Sequence, residues 1–125
     1  MKGRKPAEQL TPLELEIMSV LWDAGPSTVQ AVQERHAGGL AYTTVQTMLN
    51  ILVRKGKARR TLVDRAYRYR AMVTRRRALR QATVDIVQRV FGGSAEALVM
   101  SLVETKQLTP ETLRRLQTML EESDE

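Results

Sequence analysis

The chain has 125 residues, the size of one domain or of a small domain with an appendage. It contains no cysteine and one histidine, His36, which excludes a disulfide framework, a thiolate metal site and a multi-histidine cage, so no cofactor is expected. The formal charge of +6 lies wholly in residues 1–72, where twelve Lys and Arg meet six acids, while residues 73–125 balance at eight against eight.

A cationic front and a neutral rear suit a polyanion-binding head with a separate assembly segment. No apolar run approaches the ~20 residues that span a bilayer, so no membrane segment is expected. Met1 to Pro6 is basic and leads into a polar helix, unlike a signal peptide, so the expected compartment is the cytosol.

Residues 1–10 read as a short, flexible basic arm. Thr11-Pro12-Leu13-Glu14 then starts a helix: Thr11 caps, Pro12 suits the first position and Glu14 completes a capping box. Leu13, Ile17, Val20 and Leu21 form its apolar face with Trp22 beside it, and Ala24-Gly25-Pro26 stops it. Ser27-Thr28-Val29-Gln30 reads as a second capping box, opening a helix to about Ala37 with Val29 and Val32 inward and His36 a further candidate for that face. His36 reads as a helix-end residue beside the Gly38-Gly39 break, not as a ligand or base.

A third helix runs over Ala41 to Lys55. Val45, Met48, Leu49 and Leu52 recur at i, i+3, i+4 and i+7, one stripe of an amphipathic helix. The other side carries Thr43, Gln46, Thr47, Asn50 and Arg54, with Tyr42 and Thr44 at the start and Lys55 at the end. Hydrogen-bonding side chains without an acid fit a helix that approaches base edges between phosphates. An ordinary polar surface helix is the plain alternative. Thr43-Thr44-Val45-Gln46 also fits a capping box, which would give Thr43 a capping role instead.

Gly56 closes this helix. Residues 58–63 (ARRTLV) and 67–73 (YRYRAMV) alternate with period two around Asp64-Arg65-Ala66 and read as a β-hairpin. A hairpin behind a three-helix array is a wing, and Arg60, Arg65 and Arg68 on its tip and edge are candidate DNA contacts. Charged strands also keep an edge from aggregating, which is the plain reading of the same residues.

Beyond Thr74 three short amphipathic helices follow. Leu79, Ile86 and Val90 line the first, Leu98 and Leu102 the second after Ser94, and Leu113, Leu116 and Leu120 the third after Thr109-Pro110. About fifty residues with one aromatic rarely supply a core of their own, so a second copy of the chain is the expected partner. Packing of these helices on the chain's own head is the alternative. The expected fold is mainly α with a small β-hairpin: a winged helix-turn-helix domain over 11–73 and a helical dimerisation segment over 74–125.

TTVQTMLNILVRKG (residues 43–56), RAYRYRA (65–71) and LTPLELEIMSVLWDAGPSTVQAV (10–32) resemble the penicillinase and methicillin-resistance repressors, the BlaI/MecI type, over about residues 10–121. The resemblance implies a homodimeric winged-helix repressor seated on inverted repeats of double-stranded DNA. It places Thr43, Thr44 and Thr47 at DNA-contacting positions, with Gln46 beside them, and Arg65 and Arg68 in the wing. Family members often open this helix with Ser-Pro-Lys-Thr, where this chain has Ala41-Tyr42-Thr43-Thr44. The resemblance also implies induction by a protease linked to a membrane sensor, at a position matching Ser101-Leu102, where relatives can have Asn-Phe.

The rival readings are a non-specific architectural DNA binder of the same fold and a winged-helix protein-interaction module. An enzyme is not expected: His36 has no nucleophile–acid arrangement around it, and no glycine-rich phosphate loop occurs.

Overall fold

The computed structural model describes residues 9–123; most of the expected basic arm lies outside them. The chain divides into two compact units, Met1–Ala82 and Thr83–Glu125. The first holds α1 (Pro12–Ala24), α2 (Val29–Arg35), α3 (Tyr42–Arg54), β1 (Ala58–Val63), β2 (Ala66–Ala71) and the opening turns of α4 (Arg75–Arg89). The second holds the rest of α4, with α5 (Ala95–Glu104) and α6 (Pro110–Ser123).

The start of α1 follows from its sequence. Thr11 Oγ1 accepts from the Glu14 amide at 3.1 Å and Glu14 Oε1 accepts from the Thr11 amide at 2.9 Å, a complete capping box. Glu14 does more than cap, because it is buried along with Ile17, Met18 and Leu21. The buried face of α1 is thus shifted from the expected Leu13 and Val20 toward Glu14 and Met18.

The second cap is displaced by one residue from its expected place. Thr28, not Ser27, caps α2 by accepting from the Ala31 amide at 3.1 Å. Ser27 is taken up elsewhere: its amide donates to Tyr69 O and its carbonyl accepts from Tyr69 N, at 2.9 and 2.8 Å, so the segment before α2 joins the hairpin as a one-residue strand.

β1 and β2 pair antiparallel from Ala58↔Ala71 to Val63↔Ala66, leaving a two-residue turn at Asp64 and Arg65. Both turn residues have positive φ, 51° and 70°, the signature of a type I′ hairpin whose twist suits the strands. Ala66, expected in the turn, is instead the first residue of β2. Three helices and this hairpin make a winged helix.

Ile17, Met18, Leu21, Val29, Val32, Val45, Leu49, Leu52, Ala58 and Tyr69 form one buried cluster. Three of these lie on α3, so its orientation is set by core packing and its opposite face is left free. The tryptophan also fixes the exit from the wing, since Trp22 Nε1 donates to Val73 O at 2.9 Å. Arg75 adds an ion pair to Asp23 at 2.6 Å and stacks over the Trp22 ring at 5.5 Å.

The second unit differs in kind: no residue from Thr83 to Ser123 is buried. Among the described residues no helix is long and apolar enough to cross a membrane.

Candidate nucleic-acid interface

The N-terminal half of α3 presents Tyr42, Thr43, Gln46 and Thr47 to solvent, with Thr44 half-buried beside them. Thr43, Gln46, Thr47, Asn50 and Arg54 recur at spacings of three and four and so share one helix face, opposite Val45, Leu49 and Leu52. The capping alternative for Thr43 does not hold. Ala41 occupies the N-cap without a side-chain bond, and Thr43 lies inside the helix at an exposed position.

Two expected contact residues are used inside the protein. Lys55 is half-buried; its Nζ donates to both carboxylate oxygens of Glu14, at 2.7 and 2.9 Å, and to Gln9 O at 2.8 Å. An ammonium group has three donors and all three are engaged, so Lys55 belongs to the core end of α3 and not to the contact face.

Asn50 is only partly withdrawn. Its Oδ1 accepts from Tyr69 Oη at 3.0 Å and from Arg60 Nη1 at 2.9 Å. A bidentate Asn–adenine contact needs that oxygen and the amide nitrogen together, so only the donor side of Asn50 remains for DNA.

The wing arginines do not share one surface. Pairing places Arg60 opposite Tyr69 and Arg68 opposite Thr61, so Arg60 and Arg68 lie on opposite faces of the hairpin. Arg60 turns toward α3, its guanidinium 4.3 Å from the centroid of the Tyr67 ring. Arg68 lies with Arg59 and Arg70 on the other face, all three exposed. Arg65 occupies the tip in a left-handed conformation.

His36 also has a structural place. Its Nδ1 accepts from the Gly38 amide at 3.0 Å, so Nε2 carries the proton that it shares with Glu16 at 2.8 Å. The ring thereby bridges α1 to the loop that leads into α3. Among the described residues no group of His, Cys, Asp and Glu could hold a metal ion.

Along the expected dimerisation segment, residues 74–125, the apolar residues are unevenly available. Leu79, Ile86, Val90, Leu113, Leu116 and Leu120 are exposed, Leu120 at 68%. Leu98 and Leu102 are half-buried, and Val99, Met100 and Val103 are the large exposed apolar side chains of α5. Ser101 and Leu102 are adjacent, half-buried residues in the body of α5.

The sequence reading missed the Glu14–Lys55 pair and the Asn50–Tyr69–Arg60 junction. One signal for the first was available: Glu14 lies three positions before Ile17 and four before Met18, on the inward face of its helix.

The penicillinase repressor family matches residues 10–122. The penicillinase repressor of Bacillus licheniformis is 26% identical over 120 residues, covering 94% of each chain. The transcriptional regulator BlaI of Mycobacterium tuberculosis is 35% identical over 100 residues, covering 77% of this chain and 72% of that one. Among solved structures, a MarR family protein from Bacillus stearothermophilus aligns over 93% of this chain and 76% of its own, with a TM-score of 0.49 and 18% identity.

Proposed function

The chain belongs to the penicillinase repressor family, and we propose that it represses transcription as a cytosolic homodimer that reads an inverted-repeat operator in double-stranded DNA. Its relatives are named as a repressor and a regulator, not as enzymes. The observation that carries the reading is the outer face of α3: Tyr42, Thr43, Gln46 and Thr47 stand exposed on a helix whose other face is locked into the core. A helix so fixed can enter a major groove with its hydrogen-bonding groups already aligned, and each good bidentate base contact adds ~1–3 kcal/mol of discrimination.

The exposed cations, Arg54, Arg59, Arg65, Arg68 and Arg70 among them, supply sequence-independent attraction to phosphates that weakens with salt. The α3 face that carries Thr43, Gln46, Thr47, Asn50 and Arg54 holds no carboxylate.

The second copy is supported by the apolar side chains that α4, α5 and α6 leave in solvent: Ile86, Val90, Met100, Met119 and Leu120 are each more than 40% exposed. A unit with no buried residue gains a core when another copy covers it. A two-fold dimer would present two α3 helices to successive major grooves, ~34–36 Å apart.

Induction by cleavage at Ser101–Leu102, by a sensor-linked protease, fits the same scheme. The bond lies in α5, so a cut divides the segment that joins the copies and leaves the reading face intact. Because the bond is helical, α5 must open locally before a protease can hold it in extended form.

The test is fluorescence anisotropy with a duplex from around the protein's own gene and a scrambled duplex, at two salt concentrations. A preference of ~10³ or more for the native duplex, with affinity falling as salt rises, is the expected result. Equal affinity for both would replace this reading with a non-specific architectural role.

A further inference from the structure

Lys55, Arg75 and Arg60 of the first unit differ in the kind of partner that holds them. Lys55 is held by the carboxylate of Glu14, and Arg75 by that of Asp23, so each charge is neutralised where it stands. Arg60 is held as firmly but by neutral groups: its Nη1 donates to the Asn50 amide oxygen at 2.9 Å, and its guanidinium lies 4.3 Å from the Tyr67 ring centroid. Its geometry is fixed, and among the described residues no carboxylate pairs with it.

The Asn50 amide is itself held. Asn50 Oδ1 also accepts from Tyr69 Oη, and Tyr69 is 1% exposed, so the amide is anchored through a buried ring. Tyr67 sits diagonally from Arg60 on one hairpin face, where cross-strand neighbours come within reach of long side chains. An exposed arginine ordinarily surrenders rotamer entropy when it binds an anion, and here that cost is met on folding.

We infer that Asn50, Tyr67 and Arg60 form a preformed clamp for one DNA phosphate at the junction of α3 and the wing, with Arg60 the contacting group and the other two its positioning residues. The clamp rests on the proposal that α3 enters the groove. The binding chemistry is that of a phosphodiester: one Nη1–H is spent on Asn50, and the remaining guanidinium donors form the planar fork that matches phosphate oxygens.

Placement along α3 favours phosphate over a base edge. Asn50 lies seven residues beyond Thr43, or about 10 Å along the helix axis. When the first turns of α3 reach the floor of the groove, the Asn50–Arg60 junction comes to its rim, where the backbone runs.

The experiment uses the full chain, with the own-gene duplex and a scrambled duplex of equal length, titrated by anisotropy across a salt series. Arg60→Ala should weaken binding to both duplexes by the same factor, roughly tenfold per protomer, and lower the salt slope by about one per protomer. Tyr67→Ser should weaken both several-fold and Tyr67→Phe should not, since the ring alone supports the guanidinium. In an Arg60→Ala background Tyr67→Ser should have no further effect, a coupling that general damage to the wing would not produce.

Arg60 and Tyr67 are both exposed, so thermal melts should match the unaltered protein and separate lost contact from lost fold. Unchanged binding and slope in Arg60→Ala, or additive effects of the two replacements, would overturn the clamp. An Arg60→Ala effect confined to the own-gene duplex would overturn it too, in favour of base reading. Wild-type binding that is equal on the two duplexes removes sequence-specific repression but leaves the clamp measurable on either; no wild-type binding at low salt removes both.

Discussion

The Lys55 ammonium at the end of α3 lies 2.7 and 2.9 Å from the two carboxylate oxygens of Glu14 in the first turn of α1, with side-chain exposures of 13% and 4%. Glu14 also accepts from the Thr11 amide, and Lys55 also donates to Gln9 O. One buried pair thus joins the start of the first helix to the end of the third.

Removing one partner of such a pair strands a charge in the interior. Lys55→Met leaves Glu14 buried without its cation and should cost about 3–5 kcal/mol of unfolding free energy, measured by denaturant melts. A double replacement, Glu14→Leu with Lys55→Met, should recover most of the loss apart from the capping bond. DNA affinity of the folded fraction should change little in either variant. A clear loss of affinity in Lys55→Met at full stability would return this residue to the contact face.

Discrimination should reside in the first turns of α3. Gln46→Ala and Thr47→Val remove hydrogen-bonding groups from exposed positions, so neither should disturb the melt. Each should cut the preference for native over scrambled DNA, by up to ~1–3 kcal/mol per protomer where the lost contact is bidentate. The salt slope should stay as it was, because no charge is lost. If instead native and scrambled binding fall together, these side chains are not reading sequence.

Elements governed by local rules were legible in the chain. Val45, Leu49 and Leu52 announce α3 by spacing, Thr11 and Glu14 announce the start of α1, and the alternation around Asp64 announces the hairpin. What escaped reading depends on which partner a side chain meets far along the chain. Ser27 looks like a cap until Tyr69 draws its backbone into a bridge, which hands the capping to Thr28. Asn50 looks like a base reader until Tyr69 and Arg60 occupy its oxygen. Arg60 and Arg68 look alike as wing arginines until the strand register assigns them to opposite faces.

The wing tip holds Arg65 at φ 70°, in the left-handed region that a residue with a Cβ enters at a cost. Arg65→Gly removes that cost and should raise stability by up to ~1 kcal/mol, offset in part by the greater freedom of glycine in the unfolded chain. The same change deletes a tip charge, so affinity for any duplex should fall and the salt slope should drop by about one per protomer. Stability and binding moving in opposite directions would mark the tip as retained for contact. A rise in stability with unchanged binding would show that Arg65 does not reach DNA.

The same logic of separable parts applies to the whole chain. The first unit has its own core, built from α1, α2, α3 and the hairpin, and the second has no buried residue between Thr83 and Ser123. A chain ending at Ala82 should therefore fold, keep its melting cooperativity and sediment as a monomer, while the full chain sediments as a dimer. Joining two reading heads makes the second half-site encounter intramolecular, which adds ~10²–10⁴ in avidity. The shortened chain should lose about that factor on an inverted repeat, yet bind a single half-site as well as one head of the full protein does. A shortened chain that still dimerises would place the assembly surface within the first unit. A full chain that sediments as a monomer would remove the dimer, and with it the reason for cutting α5.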